Sequence, residues 1–183
     1  MKIFFKKLLL KVTDKQKHSD YKNFLRNEKN KKLFKDIYEE ILNNIQKKIE
    51  SQKELSFLHS GHSGDLINSL PVIKELSKTH KCNLYVQINK KLNLRYHKHP
   101  AGNVLMDERI YNMIYPLLKK QSYITNVSKY DSQKIDINFD IVRDLPTSIN
   151  FDNSRWFFHI AGVQSDLTEQ YINAEPNNLI EEK

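Results

Sequence analysis

Residues 57–76 read FLHSGHSGDLINSLPVIKEL, and two of the four glycines in this 183-residue chain, Gly61 and Gly64, stand three apart within them. The preceding residues, LSFLH from Leu55 to His59, form a short apolar run that ends at the glycines. Residues 65–78, DLINSLPVIKELSK, repeat Leu66, Ile67, Leu70, Ile73 and Leu76 at helical spacing. Pro71 lies inside that pattern, which predicts either a kink or a helix starting near Asn68. Residues 82–89, CNLYVQIN, suit a second strand of a buried sheet. Strand, loop, helix and strand in succession make a βαβ unit, which requires a parallel sheet and a right-handed crossover.

Outward from this unit the pattern continues. Residues 106–121, MDERIYNMIYPLLKKQ, predict a helix with Asp107 at its N-cap and Ile110, Met113, Ile114 and Leu117 facing inward. YITNVSKY (123–130) follows, and then KIDINFDIVRDL (134–145), where Ile135, Ile137, Phe139 and Ile141 alternate as in a strand. NSRWFFHIAGV (153–163) predicts an aromatic-rich helix capped by Asn153 or Ser154, with Gly162 at its C-terminal end. The fold class expected is α/β, a Rossmann-like parallel sheet flanked by helices and preceded by an N-terminal helical extension. The expected divisions are 1–53 for the extension, 54–173 for the α/β domain and 174–183 for a linker or tail.

The extension contains neither glycine nor proline. Leu33, Phe34, Ile37, Ile41, Ile45 and Ile49, with Leu42 alongside, form one apolar stripe on a helix of about five turns. Such a stripe packs on the following domain or on a partner helix, because so polar a helix is marginal alone. In the first dozen residues Phe4, Phe5, Leu8 and Val12 cluster on a helical wheel, while Ile3 and Leu10 fall on the lysine side. Peripheral membrane contact through residues 1–12 is thereby left open.

The net charge of +8 is local. Residues 1–53 carry 15 basic and 7 acidic side chains, and residues 54–183 carry 15 of each. The excess suits an anionic lipid or nucleic acid. A general preference for Lys, Asn and Ile, whose codons are AT-rich, accounts for it equally without a partner. Nucleic acid is the weaker partner, since no aromatics interleave with charge in the βαβ region. The single cysteine, Cys82, excludes an internal disulfide framework. No apolar run reaches the roughly 18–20 residues that span a bilayer, and the opening MKIFFKKLLLKV lacks a small-residue cleavage site. A cytoplasmic protein is expected, in contact at most with the inner membrane face.

A loop joining a parallel strand to its helix lies at the carboxyl edge of the sheet, where open α/β folds bind ligands. Three chemistries are testable against it. A Walker loop fails, because Asp65 follows Gly64 where that motif has lysine. A dinucleotide fingerprint is matched only by G-x-x-G, and Asp65 would repel a pyrophosphate. The third makes Asp65 a general base that takes the proton of a bound hydroxyl as it attacks an electrophile. The competing account is that Asp65 is simply the N-cap of the helix.

Elsewhere, His59 and His62 flank the loop, and His97 and His99 beside Pro100 form an H-x-H that more often serves a surface loop than a metal. Asp136 and Asp140, with Asn138 between them, read as a solvated strand face. Trp156, Phe157 and Phe158, near Ile160 and Val163, suit a helix packed on the sheet rather than a stacking platform. Arg155 is a minor candidate for a polar role.

GDLINSLPVIKEL, with Gly64, Asp65, Leu66, Ile67, Leu70 and Pro71, resembles the start of the heptosyltransferase family of lipopolysaccharide biosynthesis, GT-B glycosyltransferases built of two Rossmann-like domains. The ordered segments HPAG, YPLLKKQSYI, KIDINFDIVRDL and NSRWFFHIAGV extend the resemblance over roughly residues 55–175. It implies an acceptor-side N-terminal domain with Asp65 as catalytic base. Ser60, Gly61, His62, Ser63, Gly64 and Asn68 would be its substrate-binding residues. It further implies inverting transfer from a nucleotide-sugar donor to a glycan or lipid-linked sugar acceptor. No cofactor is implied, and the absence of a D-x-D triplet agrees with a metal-independent reaction. The C-terminal domain that holds the donor in that family would begin where this chain stops, so a truncated or split enzyme is expected. The alternative is a non-catalytic binding or assembly module whose basic helical arm holds a membrane or partner.

Overall fold

The computed structural model describes residues 2–33, 35, 38–91, 102–145, 153–166 and 168–174. The chain divides into two compact units, Met1–Ile41 and Leu42–Lys183.

The first unit contains α1 (Lys2–Thr13) and α2 (Lys15–Leu33). Asp14 separates them and caps the second, its Oδ1 accepting from Lys17 N at 2.9 Å. Fifteen residues of continuous helix would span about 22 Å, yet Lys6 Nζ lies 4.7 Å from the centre of the Tyr21 ring. The two helices therefore fold back on one another. Of the expected apolar stripe, Phe34 and Ile37 lie outside the described residues. Leu33 ends α2, and α3 (Glu39–Ser51) carries the rest. Leu42 and Ile45 are buried and Ile49 is half-buried, whereas Ile41 is exposed, contrary to the expected stripe.

The second unit is α/β. Its strands are β1 (Glu54–His59), β2 (Lys81–Val86), β3 (Asn126–Lys129) and β4 (Ile137–Asn138). They form one parallel sheet in the order β3-β2-β1-β4. β1 is central, with Phe57 opposite Leu84 on one side and Ile137 on the other. α4 (Ser63–Ser77) joins β1 to β2, α5 (Glu108–Lys119) lies between β2 and β3, and α6 (Asn153–Ala161) follows the sheet. This is the Rossmann-like arrangement expected from the glycine stretch and its flanks.

Apolar periodicity explains most of the core. α4 buries Leu66, Leu70, Val72, Ile73 and Leu76, and β1 buries Leu55 and Phe57. Phe57 stacks on Phe139 at 5.4 Å, and Phe157 meets Phe139 edge-on at 5.3 Å. Phe157 is thus core, as its spacing indicates. The second half of α3 is tied to this unit by polar contacts. Lys48 Nζ donates to the Ile135 and Asp136 carbonyls at 3.3 and 3.1 Å, and His80 Nε2 lies 2.8 Å from the Ile49 carbonyl. Gly162 ends α6 at φ +61, where a Cβ would run into the Gln46 side chain.

Four local expectations are corrected. α4 starts at Ser63 rather than Asn68 and runs through Pro71, which is buried. Met113 points outward and is 67% exposed, while Tyr111, Ile114 and Leu118 form the inner face of α5. Residues 135–141 are not one strand: pairing stops after Asn138, and Phe139–Arg143 form a 3-10 helix. The cause is Asn138, whose Oδ1 accepts from Asp140 N at 3.0 Å and turns the chain. Ile137 and Phe139 remain buried on either side of Asn138, while Ile135 and Ile141 are only half-buried. Finally, Asp136 and Asp140 are 8% and 7% exposed and do not form a solvated face.

Candidate functional site

In the order β3-β2-β1-β4 the chain leaves β1 towards β2 on one side and returns to β4 on the other. The carboxyl ends of β1 and β4 therefore flank the crevice where open α/β sheets take ligands. β1 runs out into Ser60 and Gly61, and β4 runs out into the 3-10 helix that carries Asp140 and Arg143. β2 contributes from the far side: Asn89 adopts φ +56, a left-handed conformation that asparagine tolerates, and the next residue is Lys90.

These three strand ends converge on Asp140. Its Oδ1 accepts from Ser60 N at 2.8 Å and from Arg143 Nη1 at 2.7 Å. Its Oδ2 accepts from Lys90 Nζ at 2.8 Å and from the Ser60 hydroxyl. Burial alone would push the Asp140 carboxyl up; the Arg143 guanidinium, Lys90 and Ser60 outweigh it and hold the group well below the ordinary carboxylate range. Asp136, four residues earlier, does the same for β1 one step back, its Oδ2 accepting from Ser56 N at 3.0 Å.

Arg143 carries the network to the opening motif. Its Nη1 is held by Asp140, and its Nη2 lies 3.9 Å from Asp65 Oδ2. That Nη2 is buried and makes no hydrogen bond among the described residues. Asp65 sits in the first turn of α4 with its side chain one-third exposed. The N-cap account of Asp65 is overturned. The cap is His62, whose Nδ1 accepts from Gly64 N at 3.4 Å, and the Asp65 carboxylate accepts no hydrogen bond from a described residue.

His59, at the end of β1, is fully buried against Phe139 and Phe157. Gly61 N donates to its Nδ1 at 2.9 Å, which fixes the proton of the neutral ring on Nε2. Burial first, and the Arg143 charge second, pull its pKa down to about 4 against the opposing pull of Asp140 and Asp65. His59 is thus a neutral positioning group under the loop, and its Nε2 is buried without a hydrogen-bond partner among the described residues.

The two glycines serve different ends. A Cβ on Gly61 would lie 2.5 Å from His59 Cε1 and 3.0 Å from Asp65 Oδ2, with Arg143 Nη2 closer still. Gly61 is bare so that the guanidinium can cross it to reach Asp65. A Cβ on Gly64 would meet nothing nearer than His62 Nδ1 at 4.0 Å, and Gly64 is exposed.

Of the residues expected to bind substrate, Ser60 and Gly61 are interior, with Ser60 committed to Asp140. His62 and Gly64 are exposed, and Ser63 and Asn68 are half-buried, Asn68 one helical turn beyond Asp65. Arg155 is exposed on α6. His97, His99 and Pro100 lie outside the described residues, and among those described no group of three His, Cys, Asp or Glu side chains is placed to hold a metal ion.

Asp140, Arg143 and Lys90 were not singled out by motif. A signal for the first existed: Ser56 on β1 and Ser60 just after it are four apart, and Asp136 and Asp140, which bond to them, are likewise four apart. Arg143 stands three residues after Asp140, a helical spacing hidden inside a strand-like alternation. For Lys90 the sequence offers no signal.

No protein-family model matches this chain, and no curated protein or solved structure proves similar to it. The class is therefore defined by fold and site alone: a Rossmann-like α/β domain with an arginine-linked carboxylate at the switch point of its sheet.

Proposed function

We propose that the α/β unit is the acceptor-side domain of an inverting glycosyltransferase, with Asp65 as general base. One observation carries this reading. The Asp65 carboxylate, one-third exposed at the mouth of the β1–α4 loop, accepts no hydrogen bond from a described residue and faces a fixed guanidinium at 3.9 Å. A carboxylate that only capped its helix would be committed to backbone N–H groups; this one has its lone pairs available to a bound hydroxyl. The resemblance of GDLINSLP to the heptosyltransferase pattern supports the same role.

In the proposed step an acceptor sugar hydroxyl attacks the anomeric carbon of a nucleotide-activated sugar. The new C–O bond forms as the bond to the diphosphate breaks, the nucleoside diphosphate leaves with the electron pair, and the hydroxyl proton passes to Asp65. Arg143 positions the carboxylate, Asp140 holds Arg143 and is itself held by Lys90, and Asn68 and the exposed Gly64 offer the first turn of α4 to the acceptor. The donor half of the site is supplied by a second domain, in cis or in trans, and the reaction runs on the cytoplasmic side, where nucleotide-sugars are available. Neither a cofactor nor a metal enters this scheme.

The test is transfer of labelled sugar from a panel of nucleotide-sugars to a glycan or lipid-linked acceptor, with the donor domain present. Asp65→Asn lowers turnover by roughly 10²–10⁴-fold while the circular dichroism spectrum is retained. Turnover equal to wild type removes Asp65 as the base. Acceptor binding by calorimetry with no turnover under any donor would favour a binding module instead.

A further inference from the structure

Residues 2–33 carry eleven lysines or arginines against three acidic side chains. On α1, Phe4, Phe5, Leu8, Leu9 and Val12 fall within an arc of about 140° at 100° per residue. All five are between 50% and 82% exposed. Lys7 and Lys11 border one edge of this arc and Lys6 the other.

The edge bearing Lys7 and Lys11 opens into a cleft of about 370 Å³ between α1 and α2, lined by Phe4, Lys7, Leu8, Lys11, His18 and Lys22. No acidic side chain lines it. Asp14 and Glu28 are paired with Lys17 and Lys31 at 3.3 and 3.2 Å, and Asp20 accepts from Gln16 at 3.1 Å. Lys7, Lys11 and Lys22 have no carboxylate partner among the described residues.

We infer that the α1–α2 hairpin docks on a bilayer carrying anionic phospholipids. The apolar arc enters the boundary between headgroups and acyl chains, and Lys7, Lys11 and Lys22 surround a lipid phosphate in the adjoining cleft. Charge selects this occupant: a second copy of the same face would set lysines against lysines, whereas an anionic leaflet complements both the arc and its basic margin. Geometry agrees, because α1 is about 18 Å long, well short of a hydrocarbon core of roughly 30 Å. It lies in the interface plane, and no described helix is long and apolar enough to cross a membrane. The inference stands apart from the transferase reading, and either can fail alone.

The experiment is co-sedimentation of the full chain with phosphatidylcholine vesicles, with and without phosphatidylglycerol. Binding is expected only with the anionic lipid, weakening as salt is raised. Each lysine near such a surface contributes about fivefold, so Lys7→Gln, Lys11→Gln and Lys22→Gln together lower partitioning roughly a hundredfold. Leu8→Glu lowers it at least about tenfold, with helicity by circular dichroism the same as wild type. Four results each overturn the inference: no sedimentation of wild type with anionic vesicles, equal binding to neutral ones, undiminished binding by the triple lysine variant, or full competition by inorganic phosphate at equal ionic strength. A dimer by light scattering that Leu8→Glu dissolves, without vesicle binding, assigns the face to a second copy and overturns it too.

Discussion

Alanine at the two loop glycines should shift stability in opposite directions. At Gly61 the added methyl would overlap the Arg143 guanidinium and lie 2.5 Å from His59 Cε1 and 3.0 Å from Asp65 Oδ2. Arg143 can swing away only by leaving Asp140, and His59 is fully buried between aromatic rings. Gly61 is not among the positive-φ residues, so no backbone strain confuses the comparison. Overpacking of this kind costs about 1–3 kcal/mol. For a chain of this length a loss of about 2 kcal/mol lowers Tm by roughly 4–8 °C. At Gly64, in the first turn of α4, the nearest atom to a new Cβ is 4.0 Å away. Replacing a helical glycine there should raise stability by about 0.5–1 kcal/mol. Urea titration of both variants against wild type reads the signs directly. Adding Arg143→Ala to Gly61→Ala should return part of the loss, with the His59 clash left behind. A Gly61→Ala protein as stable as wild type would refute the crossing of the guanidinium over Gly61. A Gly64→Ala protein that gains stability but loses acceptor affinity would show that Gly64 is kept for a ligand's approach.

Asp140→Asn should be the most damaging single change at the site, costing roughly 3 kcal/mol, because Arg143 and Lys90 lose their shared carboxylate; a urea midpoint close to wild type would contradict this. Stability should also depend on pH through His59. Its pKa falls from 6.5 to about 4 on folding, so the unfolded chain binds the extra proton between those values. Stability is fully present above about pH 6.5 and declines as pH drops towards 4, by on the order of 3 kcal/mol in all. Asp140 acts in the same direction but below about pH 4, so the intervening window reports His59, and His59→Asn should flatten it.

The parallel β1–α4–β2 unit was legible because β1 and β2 are rich in apolar residues and the helix between them repeats its apolar positions at helical spacing. β4 was not legible in the same way. In residues 135–141 apolar and polar residues alternate in sequence as in a strand, but Asn138 bonds to its own backbone and converts the segment into a turn after two paired residues. Local side-chain hydrogen bonding overrode periodicity there, and the consequence reaches the candidate site, because the turn brings Asp140 and Arg143 onto the loop after β1. The charge pattern concealed the result. Asp136 and Asp140 look like surface residues until their partners are known, and those partners include backbone N–H groups of Ser56 and Ser60, which no side-chain motif records.

The same limit separates the two glycines. The sequence marks Gly61 and Gly64 alike, as flexibility beside Asp65. The structure gives Gly61 an internal reason, the arginine that crosses it, and gives Gly64 none among the described residues. A glycine in a helical first turn costs stability relative to alanine, and in a chain with only four glycines it needs a compensating use. At Gly64 the space a methyl would fill is exposed and one residue from a carboxylate free to accept a proton. In the proposed reading this exposed face of the first turn of α4 is where the acceptor approaches Asp65, and the acceptor affinity of Gly64→Ala tests it.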